Sequence, residues 1–271
     1  MPELPEVETT RRGIEPHLLG RRIRKVMVHN PDLRWPVTAR LHATLHDQEV
    51  LAVERRAKYL LLRLTRGTVI VHLGMSGSLR VLPIGTPRLK HDHVELHFDT
   101  EQALRLNDPR RFGSVLYTTD DPLAHPLLRD LAPEPLERNF TPAYLHRISR
   151  RRRVAIKVLL LNGRLITGVG NIYASEALFR AGLRPRRAAS SLTLAECARL
   201  VAAIRRVLTA AIGSGGTTLR DYVSADGKPG YFRQQLYVYA RSGLPCRRCR
   251  TPIRHLTQGQ RSTYYCAQCQ T

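Results

Sequence analysis

Two Cys-x2-Cys pairs near the C-terminus, Cys246/Cys249 and Cys266/Cys269, constrain this chain more tightly than any other stretch. Each pair closes one knuckle, and together they supply the four thiolates in a tetrahedron that a structural zinc ion prefers. The spacing fits zinc-ribbon patterns better than a disulfide framework. Cysteine in all four positions leaves no coordination site open for chemistry, so the expected cofactor is one structural Zn2+ ion; no small-molecule cofactor is expected. Arg254–Leu256 and Ser262–Tyr265 are placed to form the hairpin that joins the knuckles. The fifth cysteine, Cys197, falls on an apolar helical face and reads as a small buried residue. Arg247, Arg248, Arg250, Arg254 and Arg261 surround the metal set, and a basic hairpin suits phosphate.

Basic residues are not confined to that finger. The formal charge is +22, which points to a polyanionic partner, nucleic acid first. An apolar content of 42% excludes a disordered basic tail. Nearly all the positive charge is arginine. The few lysines, Lys58 among them, are the cations whose protonation a fold can tune. No apolar run is long enough to span a membrane and no signal peptide is evident, so a cytoplasmic protein is expected.

Against this basic background the first eight residues, with Glu3, Glu6 and Glu8 around Pro2 and Pro5, are acidic. With Met1 removed, Pro2 carries a secondary amine that can attack a sugar carbonyl carbon, and Glu3 can act as general acid beside it. The same residues equally suit a helix start, with Pro5 in the first turn and carboxylates at the positive end of the dipole. A helix is predicted from Pro5 to about His17. Residues 22–117 then read as β: Val26/Val28, Leu60–Leu64, Thr68–Leu73, Val94/Leu96/Phe98 and Ser114–Thr118 are separated by turn signals, which suggests an antiparallel sandwich or barrel. Prolines crowd residues 120–142, the expected linker. Helical signals follow: Thr141 before Pro142, the run Val154–Leu161, and Thr193/Glu196 at capping-box spacing ahead of an apolar face from Leu194 to Leu208. A loop is expected over 213–230.

Several stretches combine turn chemistry with charge. Thr167-Gly-Val-Gly-Asn171 can bring backbone close to a phosphate with Asn171 capping a helix, or can be an ordinary turn. Arg150 to Arg153 lie just upstream. Arg110 and Phe112, in Asn107-Asp-Pro-Arg-Arg-Phe-Gly, suit a wedge between base steps or a hairpin with Phe112 in the core. Met75 sits on a glycine-flanked loop. His91 and His93 are a metal pair, a phosphate contact or polar residues at a strand start. Lys58 is a proton donor or a surface charge.

Taken together, the motifs resemble the bacterial formamidopyrimidine-DNA glycosylase family over the whole chain and in order. They are Pro2-Glu-Leu-Pro-Glu-Val-Glu8, Arg56-Ala-Lys58-Tyr59, His72-Leu-Gly-Met75-Ser-Gly77, Lys90-His-Asp-His93, Asp108-Pro-Arg110-Arg-Phe112-Gly, Gly168-Val-Gly-Asn171-Ile-Tyr-Ala-Ser-Glu176 and Gln260-Arg261. The resemblance implies an α+β multidomain fold: an N-terminal antiparallel β-sandwich with a leading helix, a helical helix-two-turn-helix domain and a zinc β-hairpin finger. The implied boundaries are 1–130, a linker 131–142, 143–240 with a lesion-recognition loop 213–230, and 241–271.

It further implies a monomer that removes oxidised purines from damaged double-stranded DNA in base excision repair. Pro2 would be the nucleophile at C1′, Glu3 the general acid, Lys58 the proton donor in β-elimination and Arg261 in δ-elimination. Met75, Arg110 and Phe112 would fill the gap left by the extruded base, and His91, Arg152, Asn171 and Arg261 would hold phosphates. Two other readings stay open: an endonuclease VIII-like glycosylase for oxidised pyrimidines, and a non-enzymatic zinc-ribbon nucleic-acid binder.

Overall fold

The structure is a computed structural model that describes residues 2–216 and 235–271. Most of the expected 213–230 loop therefore lies outside the described residues. The chain forms two compact units, one drawn from Met1–Arg129 and Ser214–Arg233, the other from Asp130–Gly213 and Gln234–Thr271.

The first unit begins with α1, Leu4–Leu18. Pro5 lies in its first turn, where a missing N–H costs nothing, and the Glu6 carboxylate accepts the Glu3 N–H at 2.8 Å. Pro16 sits in the last turn without ending the helix, so α1 outruns the expected Pro5–His17 at both ends. The strands are β1 Ile23–Val28, β2 Val50–Arg56, β3 Tyr59–Leu64, β4 Thr68–His72, β5 Ser78–Pro83, β6 Asp92–Phe98, β7 Gln102–Asn107 and β8 Ser114–Thr118, with a short α2, Leu41–Leu45, after β1. They make two antiparallel four-stranded sheets, ordered β1-β6-β7-β5 and β2-β3-β4-β8. One core joins them: Val26, Leu96 and Leu104 from one sheet, Val53, Leu60 and Val71 from the other, and Val7, Ile14 and Leu18 from α1. This is the predicted sandwich with its leading helix.

The second unit contains α3 Pro142–Ser149, α4 Ile156–Leu160, α5 Asn171–Ala181, α6 Leu194–Gly213, and a hairpin of β9 Arg254–Gln258 and β10 Arg261–Tyr265. Thr141 caps α3, its Oγ1 accepting the Tyr144 N–H at 3.0 Å. Thr193 and Glu196 form the reciprocal pair expected ahead of α6. Cys197 is buried on the apolar face of that helix. The predicted Val154–Leu161 helix is shorter, because Ala155 is extended and bridges Ala188. Residues of the expected linker are tied down. Ala132 N–H reaches the Gly163 carbonyl at 3.1 Å, and Arg205 on α6 donates to the carbonyls of Pro135, Glu137 and Phe140. Among the described residues no helix is long and apolar enough to cross a membrane.

Candidate functional site

In the first unit, Glu3 is the N-cap of α1, with extended backbone and 3% exposure, and Pro2 beside it is also buried. The head of the chain is thus packed into the unit. Lys58 follows Ala57 in the tight turn that closes β2 on β3, where Arg56 pairs with Tyr59. Ala57 holds φ = +55°, a left-handed conformation that costs an L-residue about 1 kcal/mol. The turn presents Lys58 half-buried rather than fully in solvent.

His72, at the end of β4 and opposite Tyr59, stands in the sequence motifs without a role. Its ring lies 4.8 Å from that of Tyr59, and its Nδ1 accepts the Gly74 N–H at 3.0 Å. Burial, helped by the charges of Lys58 and Arg34, pushes its pKa down to about 4. The imidazole is therefore neutral at pH 7 and its Nε2 carries the proton. Below the ordinary value of 6.5 the unfolded chain takes up a proton that the folded chain refuses. His72 thus costs no stability above pH 6.5 and destabilises the fold progressively down to about pH 4, by on the order of 3 kcal/mol. A His72→Gln variant is expected to lose melting temperature more shallowly across that window, and an unchanged pH profile would count against this account.

Two loops of the first unit meet around Asp108, which is fully buried. Its Oδ2 accepts the Gly113 N–H at 2.7 Å, and its Oδ1 accepts the Arg110 N–H at 3.3 Å and the Ser76 hydroxyl at 3.5 Å. His93 Nε2 donates to the Asp108 carbonyl at 2.8 Å. One carboxylate thus ties the Met75 loop to the Arg110–Phe112 turn. The approach requires Gly74: a Cβ there would stand 2.5 Å from Gly113 N. Met75 and Phe112 are exposed, at 39% and 43%, and the Arg110 guanidinium lies 5.0 Å from the Phe112 ring centre. Phe112 is therefore not a core residue, and all three expected wedge residues gather at one rim. His93 is thus held through Nε2 by the Asp108 backbone, and His91 is half-buried at the same strand start. Asp108 drew no attention in the sequence beyond its place before Pro109, an ordinary turn signal.

In the second unit, Asn171 is not the cap of α5. Gly170 occupies that position, and Asn171 is the first helical residue. Gly168, at φ = +75°, takes a left-handed conformation in the turn before α5 that glycine adopts without steric cost. Asn171 Nδ2 donates to the Ser262 carbonyl at 2.9 Å, and its buried Oδ1 has no hydrogen-bond partner among the described residues. The same carbonyl accepts the buried Lys157 Nζ at 2.8 Å. The residue before it, Arg261, is exposed, as are Arg150, Arg151, Arg152 and Arg153. Helix α5 also holds the segment leading into the finger, for the buried Glu176 carboxylate accepts the N–H groups of Tyr237, Val238 and Tyr239 at 2.9 Å each.

The four cysteine sulfurs lie within 4.8 Å of one another, with Cys246–Cys269 at 3.9 Å and Cys249–Cys266 at 3.4 Å. Tetrahedral Zn–S bonds of about 2.3 Å require edges of about 3.8 Å, so the set fits one zinc ion. Cys246 and Cys266 pack with Phe179, Val238 and Ile253, fastening the hairpin to α5.

A helical unit with a glycine turn before α5 and a four-thiolate hairpin defines a zinc-binding protein of the helix-two-turn-helix class. Family models cover nearly all of the chain. They describe the formamidopyrimidine-DNA glycosylase N-terminal domain over residues 1–115, its H2TH domain over 131–223, and the zinc finger found in FPG and IleRS over 243–271. The chain belongs to the formamidopyrimidine-DNA glycosylase family. It is 58% identical over 270 residues to the formamidopyrimidine-DNA glycosylase of Thioalkalivibrio sulfidiphilus and 56% identical to that of Escherichia coli strain 55989, in both cases covering 100% of each chain. Among solved structures it resembles MutM (FPG) of Thermus thermophilus, at a TM-score of 0.88 and 41% identity over 99% of this chain and 98% of that one. It also resembles Lactococcus lactis Fpg in complex with abasic-site DNA, at a TM-score of 0.91 and 32% identity over 100% of both chains.

Proposed function

We propose that the protein is a bifunctional DNA glycosylase and apurinic/apyrimidinic lyase of base excision repair. Its substrate would be damaged duplex DNA carrying 8-oxoguanine or formamidopyrimidines. The observation that carries this reading is full-length membership of the family combined with Pro2 and Glu3 packed together at the head of α1. The L. lactis relative has been crystallised with abasic DNA, which supports DNA as the partner.

Chemistry on a base requires that it leave the stack. The Pro2 nitrogen, freed by loss of Met1, bonds to C1′ as the C1′–base bond breaks. Glu3 delivers a proton to the sugar ring oxygen, the ring opens, and the C1′–N bond becomes an iminium. Loss of a C2′ proton then expels the 3′ phosphate and, after a second elimination, the 5′ phosphate; water finally releases Pro2. Lys58 donates a proton in the first elimination. Arg261 acts by holding phosphate and its developing charge, because a guanidinium does not readily give up its proton. Met75, Arg110 and Phe112 occupy the vacated space. His91, Arg152 and Asn171 hold the flanking backbone, with the other arginines of 150–153 equally exposed. The zinc ion has no part in bond breaking; it holds the hairpin that bears Arg261. The protein acts as a monomer, without a small-molecule cofactor.

Excision from duplexes carrying 8-oxoguanine or thymine glycol tests the reading. Faster release of 8-oxoguanine is expected. Preference for thymine glycol would assign the endonuclease VIII-like activity, and binding without cleavage of either would assign a zinc-ribbon binder.

A further inference from the structure

The C-terminal half of α5 faces charge that none of these roles uses. Arg180, Arg199, Arg206 and Arg248 line one open depression of about 280 Å³ within the second unit, together with Ala202 and Ala203. Arg199 and Arg206 stand about two turns apart on α6, and the two alanines lie between them on the same face. The floor is therefore methyl groups and the rim guanidinium. Two of the guanidinia are held by a ring platform. Arg248, from the first zinc knuckle, lies 4.7 Å over Phe179, and Arg180 lies 4.8 Å over Tyr237; the two rings stack at 5.4 Å. Stacking engages a guanidinium by its face and leaves its in-plane N–H groups free to donate.

Beyond the buried Glu176, whose ionised form the Arg180 charge favours, these arginines have few matching carboxylates. Among the described residues Arg180, Arg206 and Arg248 form no ion pair. Arg199 reaches only Glu196, at 3.8 Å, and that carboxylate is already gripped by both ends of Arg187 at 2.6 and 2.8 Å. Glu176, one turn before Arg180, is spent on three backbone N–H groups. Among the described residues Arg180 Nε is buried with no hydrogen-bond partner. Four like charges around one hollow repel one another until an anion enters. Planar forks converging from several sides match the oxygens of a phosphate.

We propose that this depression binds a phosphate group, at a site separate from the contacts assigned to Asn171 and Arg261. Arg180 lies about 13 Å further along the α5 axis than Asn171. The phosphate comes either from a DNA backbone beyond the lesion or from a free di- or polyphosphate. The site does not depend on the excision reading, since its occupancy is measured without any lesion.

The test is calorimetric titration of the full-length, zinc-loaded protein with pyrophosphate. Saturable binding at one site is expected. It should weaken by about 100-fold in Arg206→Ala/Arg248→Ala, which removes two charge-assisted contacts. It should be lost in Ala202→Glu, which leaves all four arginines in place and sets a carboxylate at an exposed position on the floor. Pyrophosphate binding unchanged in both variants, or absent from the parent protein, would overturn the proposal. The salt dependence of undamaged-duplex affinity then identifies the source. A slope shallower by about one to two in the double variant assigns DNA phosphate, whereas an unchanged slope with lost pyrophosphate binding assigns the free anion.

Discussion

Glu3→Gln is expected to lower turnover on 8-oxoguanine duplex by about 10²–10⁴-fold, the range for loss of a positioned general acid, while duplex affinity stays near that of the parent protein. The substitution nearly preserves shape at a buried N-cap, so the helix start should survive it. The Glu6 carboxylate, which accepts the Glu3 backbone N–H, is also untouched. What is lost is the ability to hand over a proton. Borohydride trapping on the same duplex completes the experiment. The Met1-processed protein should give a covalent adduct, and a chain that retains Met1 should give none, because its Pro2 nitrogen is an amide. An active protein whose mass includes Met1 would reject Pro2 as nucleophile, and a Glu3→Gln variant of normal turnover would reject Glu3 as the acid.

Removal of zinc is expected to have the larger effect on structure. A two-stranded hairpin is marginal by itself in water. Here β9 and β10 are fastened through a small cluster, in which Cys246 and Cys266 pack on Phe179, Val238 and Ile253. The apparent binding free energy of a four-thiolate zinc is about 10–16 kcal/mol near neutral pH, larger than the whole stability of most domains. Chelation should release one zinc per chain, unfold the hairpin that carries Arg261, and weaken duplex binding by at least about tenfold through lost phosphate contacts. Cys266→Ser should do the same without chelator. Metal analysis alongside affinity decides the matter: full duplex affinity in a chain shown to be metal-free would mean that the hairpin is folded or dispensable without zinc.

Much of this architecture is legible in the sequence because its causes are local. Thr141 and Thr193 cap the helices their spacing predicts, and the alternation of Val94, Leu96 and Phe98 gives β6. Elsewhere a local pattern misleads. Val154 and Ala155 fit the helical pattern but stay outside α4, because Ala155 is drawn into a bridge with Ala188. Asn171 has the chemistry of a cap, yet Gly170 takes the position and the asparagine amide turns to the finger.

What the sequence alone determined is therefore the zinc set, the acidic proline-led head, the basic charge and the run of strands before helices. Each depends on neighbours a few residues apart, whose spacing is set by backbone geometry. Tertiary structure decided the rest. Only contacts between distant segments make Phe112 a surface residue, give Asp108 the task of joining the Met75 loop to the Arg110 turn, neutralise His72 beside Lys58, and anchor Ser262 on Lys157 and Asn171. They also gather four arginines from two helices and a zinc knuckle around one hollow. Exposure and electrostatic environment are properties of the packed chain, and no periodicity within one segment encodes them.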